Sequence, residues 1–229
     1  DAEKDGDEIY GVIQGIGRSS DGRAKSIYAP SPEGQKRALR RCYDDADYSS
    51  ETVEMVEGHG TGTKAGDKSE YETMCEIFTT NGHSNYCAIG SVKSQYGHTK
   101  GAAGAVGMAK IVGSLVNRVL LPTIKADNPI DVAGTAFFVN TECRPWFKTD
   151  KHPRRAGVSA FGFGGTNYHI TIEEYTGKNA PKKIAPFTII PLSGDIASEQ
   201  KNIEEKRLNH YVMSECNDML MGEYSMKFE

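Results

Sequence analysis

Two histidines, a lysine and a glycine-rich loop follow one another along this chain. His59 stands in Gly58-His59-Gly60-Thr61-Gly62-Thr63, Lys93 follows, His98 comes after Gly97, and Gly162-Phe163-Gly164-Gly165-Thr166-Asn167 closes the set. A neutral imidazole can donate an N–H hydrogen bond to a developing oxyanion, and backbone N–H groups of a glycine loop can do the same. Glycines flanking His59 permit left-handed backbone and close ligand approach. Each residue also has a plainer reading: an ordinary loop histidine for His59, a helix cap for His98, a surface lysine for Lys93, and a simple turn for the glycine loop. Lys93 could pair with a carboxylate such as Glu70 or raise the potential near an anionic substrate.

The elements that must position these groups follow from patterning. Ile9 to Ile16 reads as a strand running into a loop at Gly17 to Gly22. Ser31 and Pro32 suit the cap and first turn of a helix that runs to about Asp45. Thr52 to Glu57 reads as a short strand ending in the His59 loop, Asp67 to Phe78 as a helix, and Cys87 to Val92 as a strand leading to Lys93. A helix is expected from His98 to Asn117, apolar or small on nearly every face with Lys110 its one charge, and therefore mostly buried. Its positive N-terminal end would keep His98 neutral. Thr135–Asn140, Arg155–Ser159 and His169–Glu173 read as further strands. This alternation predicts an α/β layered domain. Lys178 to Pro186 reads as a linker, Phe187–Leu192 as a strand and Ala197–Asn209 as a charged helix.

Composition narrows the function classes. The 229 residues carry 27 basic and 31 acidic side chains, a net charge of -4, which argues against a nucleic-acid binder. No apolar run approaches the roughly 18 residues of a membrane span, and the acidic N-terminus is no signal peptide. The start lacks a Met, so the chain is expected to be cut from something longer. Five cysteines, with no Cys-x-x-Cys pair, argue against a disulfide framework or a zinc site and favour a reducing, cytoplasmic setting. No complete dinucleotide fingerprint, phosphate-binding loop or His-Glu-x-x-His motif occurs.

Three blocks together resemble the β-ketoacyl synthases of fatty acid and polyketide synthesis: Val56 to Asp67, Gly90 to Gly104, and Arg155 to Asn167. The likeness runs from about Ile9 to Glu174, with wording closest to multidomain synthases that make polyketides or polyunsaturated fatty acids. Gly58 stands where many relatives have alanine. The resemblance implies a thiolase-like fold, stacked as α-β-α-β-α layers in the full enzyme and usually dimeric, of which this chain is mainly the C-terminal half. It divides the chain into 1–50 as the end of the N-terminal half, 51–175 as the C-terminal half, and 176–229 as linker and tail.

The resemblance also assigns roles. His59 and His98 would hydrogen-bond the enolate formed when malonyl, carried on an acyl carrier protein, loses carbon dioxide. The Phe163 N–H would supply half of an oxyanion hole, within Gly162 and Gly164, and its ring would gate the pocket. Thr61 and Thr63 would bind the phosphopantetheine arm; no cofactor or metal is held directly. Lys93, paired with Glu70, would position His98, and Asp67 belongs to the same network. The nucleophilic cysteine of the family's front half has no counterpart here, so the isolated chain is expected to need a cysteine-bearing N-terminal half. The alternative is an inactive, truncated protein acting as a folding or interaction module, because half of such a domain exposes a large apolar face.

Overall fold

The computed structural model describes residues 1–22, 30–79, 84–148, 151–162 and 164–181. Its elements are α1 (Ala2–Asp5), β1 (Val12–Ser20), α2 (Pro32–Ala46), β2 (Met55–Glu57), α3 (Lys64–Ile77), β3 (Cys87–Gly90), α4 (Lys93–Tyr96), α5 (Ala103–Asn117), β4 (Val119–Leu120), β5 (Phe137–Val139), β6 (Arg144–Pro145), β7 (Arg155–Gly162) and β8 (Thr166–Glu173). The large sheet runs β1-β8-β7-β2-β3-β5; β4 and β6 form a separate pair. The centre is parallel (β7-β2-β3-β5), whereas β1, β8 and β7 pair antiparallel. Residues on both sides of position 50 share this one sheet.

Strand alternation divides the core in two. In β2, Val56 packs with Leu39 and Tyr43 of α2 and Met74 of α3. Its neighbour Met55 packs with Ile111 and Leu115 of α5, on the opposite face. Successive strand side chains point to opposite faces, so each buried strand feeds both layers. The result is helices α2 and α3, then the sheet, then α5. This is the layering of one half of the expected thiolase-like fold.

Local chemistry sets the helix ends. The Ser31 hydroxyl accepts from the Gly34 N–H, and Pro32 takes the first turn of α2. Ala38, Leu39, Cys42 and Tyr43 form its buried stripe. Helix α2 lies against β1 where Gly15 and Gly17 leave no side chain between the two backbones. Its polar residues also reach the outer edge of β1. Asp45 accepts from the Ile16 N–H at 2.9 Å, and Arg41 and Arg37 donate to the carbonyls of Arg18 and Ser20, each at 2.7 Å. The Cys42 thiol contacts the Gly15 carbonyl at 3.3 Å.

Two expectations change. The segment Gly17 to Ser20 is strand rather than loop, because β8 supplies a partner for every residue of it. The helix expected from His98 begins at Ala103, after a 3-10 turn at Lys100–Ala102. Lys100 has φ +56, a left-handed conformation that no α-helix accommodates. The glycine loop after Gly162 is the tight connection of the β7–β8 hairpin, with Gly162 paired to Thr166. The expected strand at Phe187–Leu192 and helix at Ala197–Asn209, and most of the 176–229 tail, lie outside the described residues.

Candidate active site

His59 follows directly on β2, at the C-terminal end of the parallel strands, where loops of α/β sheets gather functional groups. Its loop is pinned from α3. The N–H groups of His59 and Gly60 donate to the two carboxylate oxygens of Glu70, at 2.6 and 2.8 Å. Gly60 must be glycine: its φ is +41, and a Cβ would fall 2.7 Å from the Ser91 Cβ. Further along, the Gly62 N–H donates to Asp67 at 3.1 Å, and the hydroxyls of Thr61 and Thr63 lie 3.0 Å apart. Burial pushes the Glu70 carboxyl up to about 7, against the two N–H bonds it accepts, and also raises Asp67.

His98 comes to the same place from the other side. Its ring meets that of His59 edge-on, with centroids 5.4 Å apart, and the Phe161 ring lies 6.0 Å from His59. The Lys100 N–H donates to Nδ1 of His98 at 3.0 Å, so the neutral ring carries its proton on Nε2. Burial first, then the positive Lys93 and repulsion from His98 when that ring is protonated, hold His59 down to about 4. His98 is lowered by desolvation and by Lys93 and Lys100. The neutrality expected from a helix terminus thus comes from desolvation and then from neighbouring lysines, since α5 starts five residues further on.

The expected Lys93–Glu70 ion pair is absent: no carboxylate lies within ion-pair distance of Lys93 among the described residues, because Glu70 is occupied by backbone N–H groups. Lys93 opens α4 half-buried, and burial lowers its ammonium while Glu57 and then Glu70 raise it. A cavity of 670 Å³ collects His59, His98, Thr61, Thr63, Glu70 and Gly162 on its wall. Lys93, Asp67 and Gly164 stand outside that lining; Gly164 sits in the hairpin turn with φ +90. Phe163 lies outside the described residues. None of Cys42, Cys75, Cys87 and Cys143 lines the cavity, and burial raises each of their thiols, Cys42 to about 12. No cluster able to hold a metal ion occurs among the described residues, and no helix there is long and apolar enough to cross a membrane.

Comparison with known proteins places the chain in a family. Residues 10–127 match the family model of the β-ketoacyl synthase C-terminal domain. The chain belongs to the β-ketoacyl synthase family. It is 44% identical over 189 residues to one of the polyunsaturated fatty acid synthase subunits of Thraustochytrium sp., covering 79% of this chain and 7% of that protein. It is 44% identical over 179 residues to polyketide synthase PksL of Bacillus subtilis, covering 76% of this chain and 4% of that one. Among solved structures it resembles the ketosynthase from module 6 of the bacillaene synthase of Bacillus subtilis, with a TM-score of 0.73 and 37% identity. That match covers 93% of this chain and 37% of the ketosynthase. The chain therefore corresponds to the C-terminal part of a ketosynthase domain, a small part of the multidomain synthases it matches.

Sequence reasoning passed over three features of the site. Phe161 packs beside His59. The Asn167 amide donates to Asp21 at 2.6 Å, tying the hairpin turn to the end of β1. Glu57 pairs with Lys110 at 2.9 Å in the interior. The last was detectable as two lone charges in otherwise apolar elements, each needing the other.

A second buried histidine makes stability depend on pH. His169 of β8 is fully buried, between the Tyr43 hydroxyl at 3.1 Å and the Ser159 hydroxyl at 2.9 Å, and burial holds it down to about 3. Between pH 4.5 and 6.5 the unfolded chain protonates both His59 and His169 and leaves Glu70 ionised. Over that window the folded chain keeps both rings neutral and protonates Glu70. The unfolded state then binds one more proton, so stability falls as pH falls. The slope is roughly 1 kcal/mol per pH unit once solvent screening at His59 is allowed for. Thermal melts between pH 7 and 5 are expected to show this decline. His169→Gln should flatten it, and an unchanged slope in that variant would contradict the account.

Proposed function

We propose that this chain supplies the decarboxylating part of a β-ketoacyl synthase active site. In this reading a malonyl thioester, brought on the phosphopantetheine arm of an acyl carrier protein, enters the cavity past Thr61 and Thr63. The bond to its carboxylate breaks, carbon dioxide leaves, and the electron pair moves into the thioester carbonyl to give an enolate. His59 and His98, both neutral, donate to the enolate oxygen. The enolate carbon then attacks an acyl thioester held on a cysteine of the N-terminal half. This forms the carbon–carbon bond and expels the cysteine thiolate. Phe163 retains its expected part in holding the second oxyanion. A homodimer and a cytoplasmic setting belong to the same reading.

The observation that carries it is the facing pair of neutral imidazoles, with the His98 proton placed on Nε2 by the Lys100 N–H. Lys93 contributes positive potential that keeps both rings unprotonated. The alternative, an interaction module without catalysis, draws on the exposed apolar side chains of the outer sheet, Ile16 at 54% and Tyr168 at 45%. Mixing the chain with a cysteine-bearing front half from a close relative separates the two. Restored condensation of malonyl and acyl thioesters is expected. A stable but inert complex would favour the interaction module.

A further inference from the structure

Glu57 is the last residue of β2, and it is 1% exposed. One of its carboxylate oxygens accepts the Val92 N–H at 2.6 Å; the other meets the Lys110 ammonium of α5 at 2.9 Å. The Lys110 side chain is itself 5% exposed. Placing two charges in the interior costs several kcal/mol per ion before their attraction is counted. An apolar pair of similar volume would fill the same space without that cost, so the charges call for a reason other than stability.

Position along the chain supplies one. His59 lies two residues after Glu57. Val92 immediately precedes Lys93 and the short helix α4, which leads to His98. One carboxylate therefore joins the strand carrying one histidine to the turn carrying the lysine and the other histidine, and braces both against α5. The packing leaves room for it: at Gly107 of α5, a Cβ would stand 3.0 Å from the Glu57 Cγ. A second tie between these segments, the Gly58 N–H to the Gly90 carbonyl at 2.8 Å, lies on the strand side of the turn. The same carboxylate is the larger source of negative potential at Lys93, ahead of Glu70.

We infer that Glu57 is a positioning residue, which sets the spacing of His59 and His98 through the Val92 N–H, and that Lys110 is the counter-charge paired with this acceptor in the interior. The inference deepens the reading above, because its effect on rate presumes that the two histidines act on one substrate. Neither Glu57 nor Lys110 lines the cavity, so neither touches that substrate.

Two double variants test it in the full chain. Glu57→Gln with Lys110→Met removes both charges but keeps an acceptor for Val92. Glu57→Leu with Lys110→Met removes the acceptor as well. Magnetic resonance of the histidine rings reads their contact and their titration, and malonyl-thioester decarboxylation in the reassembled enzyme reads the chemistry. The Gln variant is expected to keep the His59–His98 ring contact. The Leu variant is expected to melt cooperatively yet lose that contact and shift both titrations. Its decarboxylation should fall by on the order of 10²-fold, the usual cost of an ångström-scale misplacement. A Leu variant that keeps the ring contact overturns the inference, as does one that fails to fold, which would make Glu57 a structural residue. If the unmodified enzyme shows no decarboxylation, the functional reading fails while the ring contact still decides the role of Glu57.

Discussion

Gly17→Ala is expected to abolish the cooperative melt of this chain. A Cβ at position 17 would overlap the Ala38 carbonyl oxygen and stand 2.6 Å from the Cys42 nitrogen and 2.8 Å from the Ala38 carbonyl carbon. All of these are backbone atoms of α2, so no side chain can rotate away. The helix must lift as a unit. Gly15 is in the same state one ridge further on, with its Cβ 2.8 Å from that of Ala46. Lifting α2 uncovers Leu39, Cys42 and Tyr43 and pulls Tyr43 from His169. Overpacking a core typically costs about 1–3 kcal/mol, and losing a large buried side chain costs about 2–5 kcal/mol more. The sum rivals the roughly 5–15 kcal/mol that holds a domain together. Gly104→Ala is the control, since a Cβ there makes ordinary contact with Ala160 at 3.5 Å inside a helix. It should stabilise by up to about 1 kcal/mol. Urea melts of the two variants check this, and a Gly17→Ala protein as stable as the parent would mean that α2 does not seat on β1 as described.

The largest effect on activity is expected at His98. In an enzyme reassembled with a cysteine-bearing half, His98→Ala should lower malonyl-thioester decarboxylation by roughly 10²–10³, the usual cost of one oxyanion donor. The reason lies in the tautomer. With Nδ1 accepting from the Lys100 N–H, Nε2 is the ring nitrogen left to donate. Stability should barely change, because His98 is exposed and its ring bonds to a backbone two residues away. His98→Gln, which retains an N–H donor on a side chain of comparable reach, should recover part of the rate. Measuring loading of the acyl chain onto the cysteine separately from decarboxylation locates the defect. If loading falls and decarboxylation does not, His98 is not the enolate donor.

Much of this was legible in the residues, for identifiable reasons. The helices at α2 and α3 and the strands at β2 and β3 could be read because an apolar period, a cap or a glycine marks each one. The order of His59, Lys93, His98 and the glycine hairpin pointed to a shared site, and the structure brings the two histidines together. What sequence could not supply was partner choice. Glu70 can pair with a lysine or cap a loop, and only the fold of the His59 turn shows that two backbone N–H groups claim it. Likewise Gly17 looks like loop punctuation until a helix is seen resting on it. His169 read as a strand residue, and its burial depends on Tyr43, which is 126 positions away.

The outer edge of β1 has a consequence for how copies of this chain can meet. A strand at the end of a sheet offers a row of free N–H and C=O groups, a ready template for another strand. Here helix α2 takes three of those groups first, through Asp45 at the Ile16 N–H and the guanidinium groups of Arg41 and Arg37 at the carbonyls of Arg18 and Ser20. Strand-by-strand recruitment along this rim, the route to ordered aggregates, must first displace charged side chains already bonded there. An extended peptide therefore finds part of its template already occupied at this rim, whereas the apolar side chains of Ile16 and Tyr168 stand exposed on the sheet.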